Sequence, residues 1–314
     1  MSFSSEVKAE LSLKYADTRE GLLAELSALM LASARIYGGN RPVELRFSSE
    51  HEGILRKCFT ILGKAFKIEN VGSFSEKEEL IIADEQESVG ILKEVYWWED
   101  DHPILPSAVD DRLLRSESAK RAFLRGCFLA SGSVSTPEKF YHLEYVCSTE
   151  DLAQQLISTA ERFGIEARKM FRKKNFVVYV KESSQISACM HVMDAPKAVM
   201  NFENILILKD LRNRVNRGVN CETANLLKTT AASYDQIEAI EYLKKKQALD
   251  SLPDTLREAA AARTARPDAS IAELGLMMKP PVGKSGMNHR LRKLKELAED
   301  LGLTDFRQEG QLLQ

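Results

Sequence analysis

An internal duplication restricts the folds open to this chain more than any other feature. The segment AELSALMLASARI, Ala24 to Ile36, is echoed by AFLRGCFLASGSV, Ala122 to Val134. Leu-Ala-Ser stands at Leu31–Ser33 in the first copy and at Leu129–Ser131 in the second, an offset of 98 residues. The segments downstream of the two copies also agree. After the first, VELRFSSE alternates as a strand does, HEGILRKCFTILGKAF has a helical period, and ELIIAD and SVGILKEV complete the half. After the second come YHLEYVCS, TEDLAQQLISTAERFG, FVVYVK and SQISACMHVM. Both halves therefore read helix, strands, helix, strand, helix. The second inner helix is punctuated by Thr149 or Asp151 as N-cap and by Gly164 just past its end. The pattern predicts an α+β domain over 1–201, with repeats at about 20–98 and 118–195.

The two echoing helices share a packing signature. Ala28 and Ala32 lie one turn apart, as do Gly126 and Ala130. Small residues at i and i+4 form a narrow stripe along which two helix backbones can approach. The expectation is that these helices pack on one another across a pseudo-twofold axis; burial in two separate cores is the plainer alternative.

Composition enters as a filter. Hydrophobic residues make up 44% of 314 and charged residues 29%, as in ordinary globular proteins. A formal net charge of −2 does not announce a nucleic-acid binder, so any basic surface must be local. The first residues, MSFSSEVKAELS, lack the apolar core of a secretory signal, and no apolar run approaches the ~18 residues of a membrane span. The five cysteines, Cys58, Cys127, Cys147, Cys189 and Cys221, are odd in number and contain no C-x-x-C pair. That argues against a disulfide framework or a zinc site, and for a cytoplasmic protein with reduced thiols.

Composition shifts in the last third. DLRNRVNRGVNCETANLLKT, Asp210 to Thr229, is rich in Asn and Arg and reads as a helix, a turn and the start of another helix. A linker is expected over 202–220 and a second domain over 221–314, with a helix in DTLREAAAARTARP that Pro267 ends. SIAELGLMM then opens on Ser270 with Glu273 three residues on, a capping box, and would turn Ile271, Leu274 and Met278 to one side. KPPVGKSG stops that helix, Ser285 can cap the next, and Met287, Leu291, Leu294, Ala298 and Leu301 form its apolar stripe. This is the pattern of a helix-turn-helix over about 269–302, whose second helix enters the major groove of DNA. Its candidate contacts are Lys279, Lys284, Ser285, Gly286, Asn288, His289, Arg290, Arg292, Lys293 and Lys295, a stretch without Asp or Glu. The cations suit phosphates, and Asn288 can bond adenine through two hydrogen bonds. A second basic stretch, Arg168, Lys169, Arg172, Lys173 and Lys174, is an auxiliary candidate, with an exposed hairpin face as the plainer reading.

The order of elements in the first two-thirds resembles the LAGLIDADG homing-endonuclease fold. Aligning Leu124 with the first Leu of that motif places Gly126 and Gly132 on its glycines and Ala130 on its Ala. The motif's two Asp positions then fall on Leu129 and Ser131, and in the first copy on Leu31 and Ser33. Ala34 stands where that copy's last Gly would be. A hard divalent cation needs carboxylate oxygens, which these residues do not supply. Asp100, Asp101, Asp110 and Asp111 lie nearby in sequence, in WWEDDHPILPSAVDDR, which reads as a solvated loop.

Three blocks, MSFSSEVKAEL, NRVNRGVNCETANLLKT and PPVGKSGMNHRLRKLKELAEDL, closely resemble the bacterial WhiA proteins. That resemblance implies a pseudo-twofold, degenerate LAGLIDADG-type αββαββα domain joined to an all-α helix-turn-helix domain like region 4 of sigma factors. It implies a non-enzymatic transcriptional regulator without cofactor or metal, acting in sporulation, cell division or chromosome segregation. Double-stranded DNA would be its partner in the nucleoid, with RNA polymerase, a sigma factor or another regulator as protein partners. Two other functions compete with this reading. One is a metal-dependent nuclease using acids outside the motif; the other is a scaffold whose repeats bind a protein or small ligand.

Overall fold

The computed structural model describes residues 2–39, 41–49, 51–68 and 79–303, and the chain divides into two units, Met1–Asp210 and Leu211–Gln314. Each unit has its own apolar core.

In the first unit, α1 (Phe3–Ser12) buries Phe3, Val7 and Leu11, whose four-residue spacing makes one face apolar. The first repeat comprises α2 (Arg19–Ser33), β1 (Ala34–Tyr37), β2 (Glu44–Ser48), α3 (Glu52–Phe66), β3 (Glu79–Ile82) and α4 (Glu85–Glu94). Its strands pair antiparallel in the order β1-β2-β3, and the register sets buried Leu45 opposite Ile82 and Phe47 opposite Leu80. A short hairpin of β4 (Trp98–Glu99) and β5 (His102–Pro103) leads on to the second repeat. That repeat is α5 (Glu117–Ser131), β6 (Gly132–Val134), β7 (Leu143–Cys147), α6 (Glu150–Glu161), β8 (Arg168–Arg172), β9 (Asn175–Val180) and α7 (Ser183–Val192). Its sheet has the order β6-β7-β9-β8. Thr149 is the N-cap of α6, its hydroxyl accepting from the Leu152 N–H, and Gly164 adopts φ +71 beyond the end of the helix.

The repeat helices α2 and α5 pack along each other, and Gly126 shows how closely. A Cβ at that position would lie 2.8 Å from the Glu25 carbonyl oxygen and 2.9 Å from the Ala28 Cβ. Ala28 is buried and Ala130 partly so, but Ala32 is exposed on the last turn of α2. The close approach therefore runs through Ala28 and Gly126, and Ala32 does not extend it.

The same interface holds a buried ionic cluster. Arg125 of α5 donates to both oxygens of Glu25 of α2, at 2.8 and 2.9 Å. Lys57 of α3 lies 2.9 Å from the same carboxylate and also donates to the carbonyls of Leu11 and Lys14. Burial pushes the Lys57 ammonium down to about 8; Glu25 opposes that shift and Arg125 adds to it.

The Asn/Arg-rich stretch holds no turn. One helix, α8, runs uninterrupted over Pro196–Lys245, so the expected linker at 202–220 is helix interior. The sequence explains the difference. After Pro196 the next proline is Pro253, and the single Gly218 weakens a helix without ending it. The start of α8 is capped from afar: the Glu10 carboxylate of α1 accepts from the N–H groups of Lys197 and Ala198, at 2.9 and 2.8 Å. An acid at a helix N-terminus satisfies free amides and the helix dipole together.

In the second unit, the end of α8 packs with α9 (Asp254–Ala265), α10 (Ile271–Leu276) and α11 (Lys284–Asp300). The core is built from Ala239, Ile240, Leu243, Ala259, Ala260, Leu274, Met278, Met287, Leu291, Leu294 and Ala298. Ile271 packs against it half-buried, whereas Leu301, expected in the α11 stripe, is 48% exposed just past the end of the helix. Buried Arg263 of α9 holds the turn before α10 by donating to the carbonyls of Pro267 and Ala269, at 3.2 and 2.8 Å. Burial pushes that guanidinium below its ordinary value.

Candidate nucleic-acid interface

Helix α10 starts on the capping box expected of it: Ser270 accepts from the Glu273 N–H, and the Glu273 carboxylate accepts from the Ser270 N–H at 2.7 Å. Those bonds hold the Glu273 carboxyl below the usual carboxylate range. The turn to α11 is fixed at Gly275, where the Val282 N–H donates to the Gly275 carbonyl at 2.9 Å. A Cβ at Gly275 would fall 2.3 Å from the Val282 carbonyl oxygen, so only glycine fits. This requirement is invisible in the sequence, where Gly275 reads as an ordinary helical residue.

Helix α11 begins earlier than its sequence suggests. Gly283, not Ser285, is its N-cap, and no side chain caps it. Ser285 lies inside the first turn, because Lys284 is already helical. With no acid in that turn, the first amides of α11 are left for an anion. Met287, Leu291, Leu294 and Ala298 are buried, which turns the opposite face outward. On or beside that face, Lys279, Lys284, Ser285, Gly286, Asn288, His289, Arg292 and Lys293 are exposed, and Arg290 is half-buried.

The partners of these cations rank them. Arg292 and Lys293 share Glu296, at 3.3 and 3.4 Å, in exposed pairs that contribute little and exchange readily with a phosphate. Arg292 also approaches His289 Nδ1 at 3.4 Å. Lys295 differs: it reaches Asp235 of α8 at 3.7 Å and Glu299 at 3.9 Å, so it faces back into the unit.

The auxiliary candidates lie on β8, an edge strand exposed along its whole length, and on the turn that follows it. Lys173 and Lys174 form the tight turn to β9 with φ 48 and 69, the two left-handed residues a two-residue hairpin needs. Lys169 pairs with Glu150 at 2.6 Å and Arg172 with Glu144 at 3.9 Å. Arg168, Lys173 and Lys174 have no acidic partner among the described residues.

At the ends of α2 and α5, the serines in the acid positions turn inward on their own helices. Ser33 donates to the Leu29 carbonyl at 2.7 Å and Ser131 to the Cys127 carbonyl at 3.4 Å. Asp100 and Asp101 form the β4–β5 turn with φ 47 and 57, Asp110 pairs with Arg112, and Asp111 accepts from Gln155. Among the described residues no three of His, Cys, Asp or Glu come together as a metal site. Burial pushes the thiols of Cys58, Cys147 and Cys189 up to about 12. Among the described residues no helix is long and apolar enough to cross a membrane.

Residues 120–212 match the WhiA LAGLIDADG-like domain, and residues 215–298 match the WhiA C-terminal HTH domain. The "Probable cell division protein WhiA" of Clostridium acetobutylicum is 40% identical over 317 residues, covering 96% of this chain and 98% of its own. The chain belongs to the WhiA family. The WhiA proteins of Thermoanaerobacter pseudethanolicus and Clostridium perfringens, both also called probable cell division proteins, are 41% and 38% identical. These alignments cover 96% and 98% of this chain, and 98% and 100% of the relatives. The crystal structure of full-length DUF199/WhiA from Thermotoga maritima covers 97% of this chain and all of its own, with a TM-score of 0.58 at 24% identity. The WhiA fold is thus present here: a duplicated LAGLIDADG-like α+β domain followed by a helical helix-turn-helix domain.

Proposed function

We propose that this chain is a non-catalytic, sequence-specific DNA-binding regulator that lays α11 in the major groove of double-stranded DNA. The observation that carries this reading is the amino-terminal half of α11. Uncapped amides, Lys284, Asn288, His289, Arg292 and Lys293 share the exposed side of a helix whose other side is locked into an apolar core. Amides and cations engage phosphates, while Asn288 and Arg292 have the donor patterns that distinguish adenine and guanine edges. Lys279, Arg290 and the β8–β9 hairpin residues Arg168, Lys173 and Lys174 are supplementary contacts, and Lys295 acts within the unit. The serine back-bonds at Ser33 and Ser131 support loss of the metal chemistry of homing enzymes. The names of the relatives support a place in cell division; control of sporulation or chromosome segregation is a further part of this proposal. Nucleoid association in the cytoplasm is part of this reading, as is contact with RNA polymerase, a sigma factor or another regulator.

The test is binding of the full chain to duplex DNA across a salt series. Affinity should fall linearly with salt on logarithmic axes, by about 0.9 in slope per phosphate contacted. The double variant Lys284→Ala, Arg292→Ala should weaken binding and flatten that slope. Affinity that ignores both salt and substitution would overturn the reading. Incubation with plasmid and Mg²⁺ tests the nuclease alternative, for which nicking is the deciding result.

A further inference from the structure

The Asn/Arg-rich block NRVNRGVNCETANLLKT is one of the three blocks that carry the family resemblance, yet the reading of α11 gives it no task. In the structure it is an exposed stretch of α8, and every residue from 210 to 232 is open to solvent. Exposed helices are ordinarily dressed with Ala, Glu, Lys and other strong helix formers, often in i,i+4 ion pairs. Between Leu211 and Thr229 the cations are Arg212, Arg214, Arg217 and Lys228, against the single acid Glu222. Asn213, Asn216 and Asn220 are poor helix formers, and none has a side-chain hydrogen bond among the described residues. At 3.6 residues per turn these three amides fall within a sector of about 60°, with Arg212 and Arg217 on its two sides. A helix stable enough to carry three such residues outward gains nothing from them in its own fold.

From this placement we propose that the Asn213–Asn216–Asn220 face of α8 is a second DNA-reading surface, in addition to α11, and that it enters a major groove of double-stranded DNA. This proposal rests on the reading of the chain as a DNA-binding protein. An amide side chain offers a donor and an acceptor side by side, the pattern that matches N6 and N7 of adenine. The three amides succeed one another along the helix at intervals of about 4.5 and 6 Å. Those intervals compare with one or two base-pair steps of about 3.4 Å. Arg212 and Arg217, on the flanks, are placed for phosphates on the groove walls. Arg217 Nε donates to the Asn213 carbonyl at 3.2 Å, which steadies the side chain along the helix.

The experiment uses the full chain and a duplex enriched from a random library by the wild-type protein. The triple variant Asn213→Ala, Asn216→Ala, Asn220→Ala should bind the enriched duplex about tenfold or more weakly while keeping its affinity for a random duplex. Alanine favours helix, so far-UV circular dichroism of this variant should equal or exceed wild type, which separates lost contacts from lost folding. The pair Arg212→Gln, Arg217→Gln should weaken both duplexes and lower the salt slope by about two. A triple variant that binds and footprints as wild type overturns the proposal. If it does so while Lys284→Ala, Arg292→Ala abolishes binding, only the α8 face falls and the reading of α11 stands. If the α8 variants lose binding and the α11 variant does not, the α11 reading falls instead. A wild-type chain that enriches no duplex overturns both, and preferential capture of a structured RNA overturns the assignment to DNA.

Discussion

Gly126 and Glu25 carry different kinds of constraint at one interface. A methyl group at Gly126 would collide with a backbone carbonyl, which cannot move aside as a side chain can. Gly126→Ala is therefore expected to cost about 1–3 kcal/mol, read as a lower denaturant midpoint at unchanged m-value. Glu25 is constrained by charge: among the described residues its carboxylate alone pairs with two buried cations, Arg125 and Lys57. The Lys57 amine is held down at about 8 against an ordinary 10.5, so the folded state binds fewer protons than the unfolded one between those values. Stability from this residue is lowest below about pH 8 and rises with pH through that window. Comparing wild type with Lys57→Met at about pH 7.5 and about pH 10 isolates the effect, because other titrations cancel in the difference. Wild type should gain on the variant at the higher pH, and a constant difference would exclude this linkage.

At the scale of elements, two glycines flank the α10–α11 turn, Gly275 in α10 and Gly286 in α11, with opposite requirements. Gly275→Ala drives a Cβ into the Val282 carbonyl and should both destabilise the second unit by about 1–3 kcal/mol and impair duplex binding. Gly286 lies within α11, where an added Cβ would meet only Val282 Cβ at 3.7 Å. Gly286→Ala should leave the unit as stable or firmer by up to about 1 kcal/mol, measured by thermal unfolding. The sequence shows the capping box at Ser270, the stripe through Met287, Leu291, Leu294 and Ala298, and the duplicated order of helices and strands. Those features repeat locally and with a fixed period. It does not show the continuity of α8, since Asn and Arg suggest a turn and nothing local reveals a cap supplied by Glu10. Nor does it show Gly275, Arg263 or the buried Lys57, whose roles depend on residues across the fold. The pairing of Lys295 is hidden for the same reason: its charge is legible, but its partner Asp235 is 60 positions away in the chain.

Across the whole molecule the described residues form two apolar cores from separate sets of side chains, and damage to one should stay there. Leu291→Ala removes a fully buried side chain from the second core and should cost that unit about 2–5 kcal/mol. Hydrogen exchange monitored by mass spectrometry should then accelerate in α9–α11 while α2, α5 and the strands of the repeats keep their protection. Uniform loss of protection across both units would show one cooperative block instead.

The ion pair between the repeat helices also bears on how a duplicated chain can divide its labour. The offset of 98 aligns Glu25 with Phe123 and Arg125 with Ser27, so neither half carries both charges. Two copies of the first half would bring a carboxylate to face a serine. Two copies of the second would set a guanidinium against a phenylalanine. Each half is thus the wrong mate for itself, and the fused, unequal pair is the arrangement this interface accepts. An ancestor assembled from identical subunits would have lacked this contact, and its appearance would have made the join between the halves difficult to reverse.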